Sequence, residues 1–197
     1  MKIIFITLFI CLSQYSLFAQ DTSKAPIIKP TLKKIDNYTV QRLIIFNNKK
    51  EILMQRNRFG WFTPSIRSNE NQSLKEGLDS LAKAIGVTIE PIKLAGIFTY
   101  KYDGLSDHVG IVSYRTHYTT KYLSGELIQY KDPKDSTRLY KWMPISEAVN
   151  AIGMQALKEE TIQIIQYPKK IWGGSFLLSF KNEVLDSIKM VETFYSL

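Results

Sequence analysis

The chain has 197 residues, a formal net charge of +8 and a single cysteine, Cys11. Its 45% hydrophobic and 22% charged content excludes a disordered or fibrous chain and is enough for one domain with a real core. One cysteine excludes an internal disulfide. The Lys and Arg residues are scattered rather than run together, which favours anionic partners in general and not specific nucleic-acid binding.

Residues 1–19 combine Lys2, an apolar run from Ile3 to Leu12, and Ala19 just before a polar switch at Gln20-Asp21. That is the layout of a secretory signal peptide. The expectation is an exported protein, periplasmic or extracellular, that begins near Gln20 and has lost Cys11. Removing Lys2 takes the charge from +8 to +7. The apolar run is too short to cross a bilayer, and no later stretch could do so, so no transmembrane segment is expected. Residues 20–37 are polar, contain Pro26 and Pro30, and predict an exposed lead-in.

Thr39–Phe46 is β-branched and apolar, which predicts a strand. Asn47-Asn48-Lys49-Lys50 supplies turn chemistry, and EILMQRNR returns as the second strand of a hairpin. Trp61, Phe62 and Pro64 lead into a polar loop. Ser73 can cap a helix in which Leu74, Leu78, Leu81 and Ile85 form one buried stripe, ended by Gly86. Pro91–Tyr102 and His108–Tyr118 predict core strands, followed by an exposed loop over 131–137 and a short strand over Tyr140–Met143. Helices are predicted from Pro144 to about Ile152 and from about Ala156 to Tyr167, with Pro168 as the stop. The tail predicts a hairpin turning near Lys181-Asn182-Glu183. Strands mixed with two or three helices give an α/β or α+β class.

The order of landmarks resembles the Nudix hydrolase family. The carrying residues are Trp61, Pro64, Leu81, Gly86 and Val87, then Trp142, Pro144, Glu147 and Ala148. The resemblance spans roughly 38–168, a boundary good to a few residues. It implies a Nudix-like mixed sheet flanked by helices, with residues 169–197 as an additional C-terminal β-hairpin. The family's box reads G-x5-E-x7-R-E-U-x-E-E-x-G-U, with U aliphatic. Anchored on Gly86 and Val87, it places Leu81 correctly but puts Asp79 and Ser80 at the Arg-Glu pair and Lys83 and Ala84 at the Glu-Glu pair. The leading Gly falls on Ser65 and the earlier Glu on Asn71, or on Gln72 if the loop is anchored on Trp61 and Pro64.

The resemblance implies that the glutamates of this helix face would hold Mg²⁺, since i, i+3 and i+4 share one side and carboxylates are hard oxygen ligands. Here that face carries Ser80, Lys83 and Ala84, so no metal and no cofactor is expected. Glu76 and Asp79 are the acids left in the helix. They are weak metal candidates, and Asp79 suits an i,i+4 pair with Lys83.

Other residues carry two readings each. Phe98, Tyr100 and Tyr102 alternate on one strand face, as a stacking platform for a ligand or as ordinary packing. Arg56, Arg58 and Arg67 flank the altered loop, as anion contacts or as solubilising charge. His108 and His117 lack a partner at ligand spacing and suit a structural role. Ser175 lacks the flanking pattern of a nucleophile elbow. Lys83 stands where a metal ligand would stand, and with Arg67 it could meet an anion directly, as a point charge beside a guanidinium.

Three functions follow. The first is an exported Nudix-fold protein without pyrophosphohydrolase activity that binds an anionic small molecule or a protein partner through the former substrate cleft. Its ligand residues would be Lys83, Arg67, Arg58, Phe98 and Tyr100. The second is a divergent hydrolase of a nucleoside diphosphate-type substrate, using Mg²⁺ and acids such as Glu76, Asp79, Asp107 or Glu126. The third is a scaffold acting through its C-terminal hairpin.

Overall fold

The structure is a computed structural model that describes residues 39–68, 71–105, 112–129 and 139–197. The expected signal peptide, the lead-in, Asp107, His108 and the 131–137 loop lie outside the described residues.

The first strand, β1 (Thr39–Phe46), turns at Asn47 into β2 (Glu51–Asn57). The turn is built by Asn47, whose Oδ1 accepts from the backbone N–H of Lys49 (2.9 Å) and of Glu51 (3.1 Å). Two short strands follow, β3 (Gly60–Phe62) and β4 (Ser65–Arg67), where the sequence predicts only loop. The helix α1 (Leu74–Ile85) begins with a capping box: Ser73 Oγ accepts from the Glu76 N–H, and Glu76 Oε2 accepts from the Ser73 N–H at 2.7 Å. It ends at Gly86 with φ +90°, where a Cβ would stand 2.2 Å from the Glu126 carbonyl oxygen, so only glycine fits this close approach.

Next come β5 (Val87–Ile89), β6 (Lys93–Asp103), β7 (Val112–Gly125), β8 (Leu139–Pro144), α2 (Ile145–Ala151), α3 (Gln155–Gln166), β9 (Trp172–Lys181) and β10 (Val184–Ser196). The last two form the expected hairpin. It turns at Asn182 and Glu183, both at positive φ, as a two-residue I′ connection demands. The strands make one mixed sheet in the order β10-β9-β6-β7-β1-β2-β3, with β4 on β1, β5 on β7 and β8 on β2. Two pairings are parallel, β1 with β7 and β6 with β9. This mixed sheet with three helices is the α+β arrangement expected from the sequence.

Alternation along β1 divides the core. Leu43 and Ile45 meet Leu78, Leu81, Ala82 and Ile85 of α1, together with Tyr118 and Tyr140. Ile44 faces the other way, into a second cluster with Phe98, Tyr100, Leu157, Ile164, Trp172 and Phe176 under α2 and α3. The hairpin closes that second cluster with Ile188, Met190 and Phe194. One expectation needs correction. Leu74 is 42% exposed, because it is the first helical residue and lies beyond the reach of the sheet.

Leu81→Ala should therefore cost about 2–5 kcal/mol in urea unfolding, the range for a buried leucine. Leu74→Ala should cost under about 0.5 kcal/mol, the range for a surface change. Equal costs would mean that α1 is rotated from the orientation described.

Candidate functional site

The solvent face of α1 is the first place to look. Ser80, Lys83 and Ala84 are all exposed there. Ser80 Oγ accepts from Gln72 Nε2 at 3.2 Å. Glu76 is held in the capping box, and its carboxyl is lowered below the usual range, first by the hydrogen bond from the Ser73 backbone. Asp79 pairs with Lys75 and not with Lys83, which corrects the expected i,i+4 partner. Lys83 makes no ion pair with a described residue and opens on a shallow depression with Asp79, Ala82 and the β5 residues. Among the described residues, no three His, Cys, Asp or Glu side chains come together as a metal site.

Across the sheet lies a different arrangement. Pairing register sets Arg67, Val40, Arg115 and Phe98 in one row across β4, β1, β7 and β6, and Ser65, Arg42, His117 and Gly96 in the next. Paired residues share a face, so Arg42, Arg67, Arg115 and His117 stand on the α3 side. Glu160 reaches them from α3. His117 and Glu160 are both fully buried, with Nε2 and Oε2 3.0 Å apart but not aligned for a hydrogen bond. Among the described residues, His117 Nδ1 and both Glu160 oxygens have no aligned hydrogen-bond partner, although Glu160 interacts electrostatically with both His117 and the Tyr100 hydroxyl. Arg42 Nη1 donates to the Thr63 carbonyl at 3.3 Å. Arg115 lies over the Tyr100 ring at 4.9 Å and donates to Tyr102 Oη at 2.7 Å. Phe98 packs its ring edge-on to His117, with centroids 5.3 Å apart.

The electrostatics of this cluster follow from burial. Desolvation lowers the His117 imidazole below 6.5, opposed by the neighbouring Glu160 and helped by Arg42 and Arg115. His117 is thus neutral at pH 7. Burial, then the Glu160 charge, pushes the Tyr100 hydroxyl well above 10, so it stays a neutral donor. Desolvation also lowers Arg42, but a guanidinium keeps its proton in proteins.

With that geometry in hand, solved structures of low sequence identity superpose on the chain. The MutT protein of Bacillus halodurans gives a TM-score of 0.63 at 15% identity, over 78% of this chain and 97% of that one. A NUDIX hydrolase from Nitrosomonas europaea gives 0.52 at 13% identity, over 68% and 90%. The MutT protein of Methanosarcina mazei Go1 gives 0.51 at 16% identity, over 68% and 96%.

The fold is Nudix-like.

At these identities the likeness concerns the fold. No family model matches the sequence, and no curated protein matches it. The Nudix landmarks take structural roles. Pro144 precedes α2, Ala148 is the fully buried residue of that helix, and Glu147 pairs with Lys141 at 3.3 Å. The Mg²⁺ implied by the resemblance does not fit the donors on α1. Ser80 is a weak ligand, Ala84 is none, Lys83 is a cation, and Glu76 and Asp79 are engaged by Ser73 and Lys75.

The expected ligand residues do not gather into one site. Phe98 is fully buried and Tyr100 is 2% exposed, so of the two readings of these aromatics the structure has them in packing. Arg67 stands on the sheet face opposite α1, so it does not act with Lys83. Arg58 is exposed at the β2–β3 turn, over the Phe59 ring at 4.7 Å. Arg42, Arg115 and Glu160 escaped the sequence reading, and His117 was legible only as structural. A signal was present: Glu160 interrupts the buried stripe Ala156, Leu157, Thr161, Ile164 of α3, and Arg42 interrupts an apolar strand.

His117 sets a pH dependence. Its folded-state pKa lies below the unfolded 6.5, so the unfolded chain binds the proton more readily. Stability from this residue is present above about pH 6.5 and is lost as pH falls below it. In urea unfolding between pH 8 and pH 5, the wild type should lose stability relative to His117→Gln, at no more than about 1.4 kcal/mol per pH unit. Parallel pH profiles for the two proteins would refute a buried neutral imidazole.

Proposed function

We propose that this is an exported Nudix-fold binding protein that takes up an anionic small molecule without a metal and does not hydrolyse diphosphates. The observation that carries the reading is the donor set on α1. A serine, a lysine and an alanine stand where the resemblance calls for carboxylates, and both remaining acids are engaged elsewhere in the helix. Metal-assisted attack on a diphosphate needs a cation held rigidly by hard oxygens, which lowers the pKa of water and clamps the leaving group. Ser80, Lys83 and Ala84 cannot supply that. The α3 side of the sheet instead offers three guanidinium groups, which suit oxyanions through their fork geometry. In this reading the anion binds on that side of the sheet, away from Lys83.

A second reading has one observation in its favour. The exposed Glu126 follows directly on β7, and its backbone abuts Gly86 at the end of α1. A divergent hydrolase would recruit that carboxylate.

Purified mature protein, incubated with nucleoside diphosphate derivatives in Mg²⁺ or Mn²⁺, should show no turnover. Turnover that survives repurification and disappears in Glu126→Gln would establish the second reading. Export is tested separately. N-terminal sequencing from the native host should find a start near Gln20, and an intact Met1 in a cytoplasmic fraction would contradict it.

A further inference from the structure

A cavity of about 200 Å³ opens where the end of α3 meets the sheet. Pairing register sets its floor. Phe46 pairs with Lys121, and Lys93 with Thr119, at one end of β1, β7 and β6. Ile44 also pairs with Thr119 and faces α3, so Lys93, Thr119, Phe46 and Lys121 stand on that same side. Ile164 and Pro168 form one wall, from the end of α3. Glu90 and Pro91 form another, from the connection between β5 and β6.

The wall at Glu90 is tied down. Thr120 Oγ1 donates to the Glu90 carbonyl at 2.7 Å, and the Glu90 N–H donates to the Lys121 carbonyl at 2.8 Å. Pro91 and Pro168 each fix their own φ. The cavity is therefore formed before a ligand arrives, as small-molecule sites mostly are. Its volume is far above the ~10–15 Å³ that a single water needs and below the ~300–1,000 Å³ of sites for drug-sized ligands. It suits a molecule the size of an aromatic ring with a short arm.

The lining divides by chemistry. Phe46, Ile164 and the two prolines are apolar. The charges are Lys93, Lys121 and Glu90. Glu90 Oε1 stands 3.9 Å from Lys121 Nζ, and these two offset each other. Lys93 is exposed and makes no ion pair with a described residue, so one cation of the lining stands unmatched. The carbonyl end of α3 carries partial negative charge, which turns an acid group away from Ile164 and Pro168 and towards Lys93. A neutral apolar molecule would leave Lys93 unused. A cation would be repelled by it, and a small hydrophilic anion would leave the apolar walls wet. We propose that this cavity binds a small apolar carboxylate, an aromatic or branched acid. Its body packs on Phe46, Pro91, Ile164 and Pro168, and its carboxylate meets Lys93 beside the Thr119 hydroxyl. The site goes beyond the function proposed above and does not depend on it. Fully buried Ile44 stands between it and Arg42 along β1, and its lining includes no residue of α1.

The test is saturation-transfer NMR and calorimetry on the purified mature protein, in EDTA at pH 7 and constant ionic strength. The acid probes are phenylacetate and 4-methylpentanoate. The controls are benzyl alcohol, phenethylamine and acetate. The better of the two acids should bind at least about tenfold more tightly than any control, ~1.4 kcal/mol. Lys93→Met should remove the preference for the acid over benzyl alcohol and leave benzyl alcohol itself unchanged, a split that a merely structural role would not produce. Thr119→Phe, which fills the cavity, should abolish binding of both. Circular dichroism establishes that each variant is folded. If Thr119→Phe fails to fold, the exposed Lys93→Met and the wild-type ranking still decide. Equal binding of the acid and benzyl alcohol overturns the proposal. So does the absence of binding by both acids, which assigns the cavity to water. Binding that persists in a folded Thr119→Phe places the ligand elsewhere and overturns it too. Metal-dependent turnover of a diphosphate would refute the function proposed above and leave this site untouched.

Discussion

Strand β1 is the constraint on which the rest of the molecule depends. All eight of its residues pair in parallel with β7, and its free edge is shared between β2 at one end and β4 at the other. Because side chains alternate, each residue of β1 is committed to one of two clusters. Leu43 and Ile45 seat α1. Arg42 and Ile44 face α3. A slip of one residue would bring Arg42 under the apolar stripe of α1 and expose Leu43 to the polar cluster. The parallel pairing also needs a long crossover, which the chain supplies by way of β2, α1 and β6. The helix that the Nudix resemblance marks is thus part of the connection between two parallel neighbours.

That position explains how the fold can hold without carboxylates at Ser80, Lys83 and Ala84 of α1. The helix is held by Gly77, Leu78, Leu81, Ala82 and Ile85 on its inner side, by the Ser73–Glu76 capping box at its start and by Gly86 at its end. None of these is a metal ligand in the resemblance. Ser80, Lys83 and Ala84 lie on the opposite side, in solvent, where a substitution usually changes stability by only about half a kcal/mol. Fold and site are carried by different residues of one helix. Glu76 shows the same separation, since its carboxylate satisfies the Ser73 backbone N–H at the start of the helix.

Much of the fold was legible because its signals are local. The capping residue Ser73, the stop at Gly86, the hairpin at Asn182-Glu183 and the end of α3 before Pro168 each depend on a few neighbouring residues. The short strands β3, β4 and β5 were not, because three residues carry no period. They exist through pairings with β2, β1 and β7 that only the assembled sheet provides. The far end of β7, from Thr119 to Gly125, was missed for the same reason: the sequence YLSG is not strand-like, but β5 pairs with it. The polar cluster is the extreme case. Arg42, Arg115, His117 and Glu160 are separated by up to 118 positions along the chain, 160 − 42, and no spacing rule joins them. What the sequence does carry is a violation. Glu160 occupies an apolar stripe and Arg42 an apolar strand, and local rules fail most often at functional or strained sites.

The violation bears on why the cluster exists. A buried ion pair is weak support for a fold, since apolar residues of similar volume often do as well or better. Leucine at positions 42 and 160 would extend the cluster of Ile44, Leu157 and Ile164 without any desolvation cost. Charge here cannot be explained by the need to fill space. Nor does it serve as a simple neutralising pair, because Glu160 faces two half-buried arginines and its nearest neighbour is a neutral histidine. Burying Glu160 carries a desolvation cost that a leucine would not, so polar chemistry is set into the core of α3 at a cost in stability.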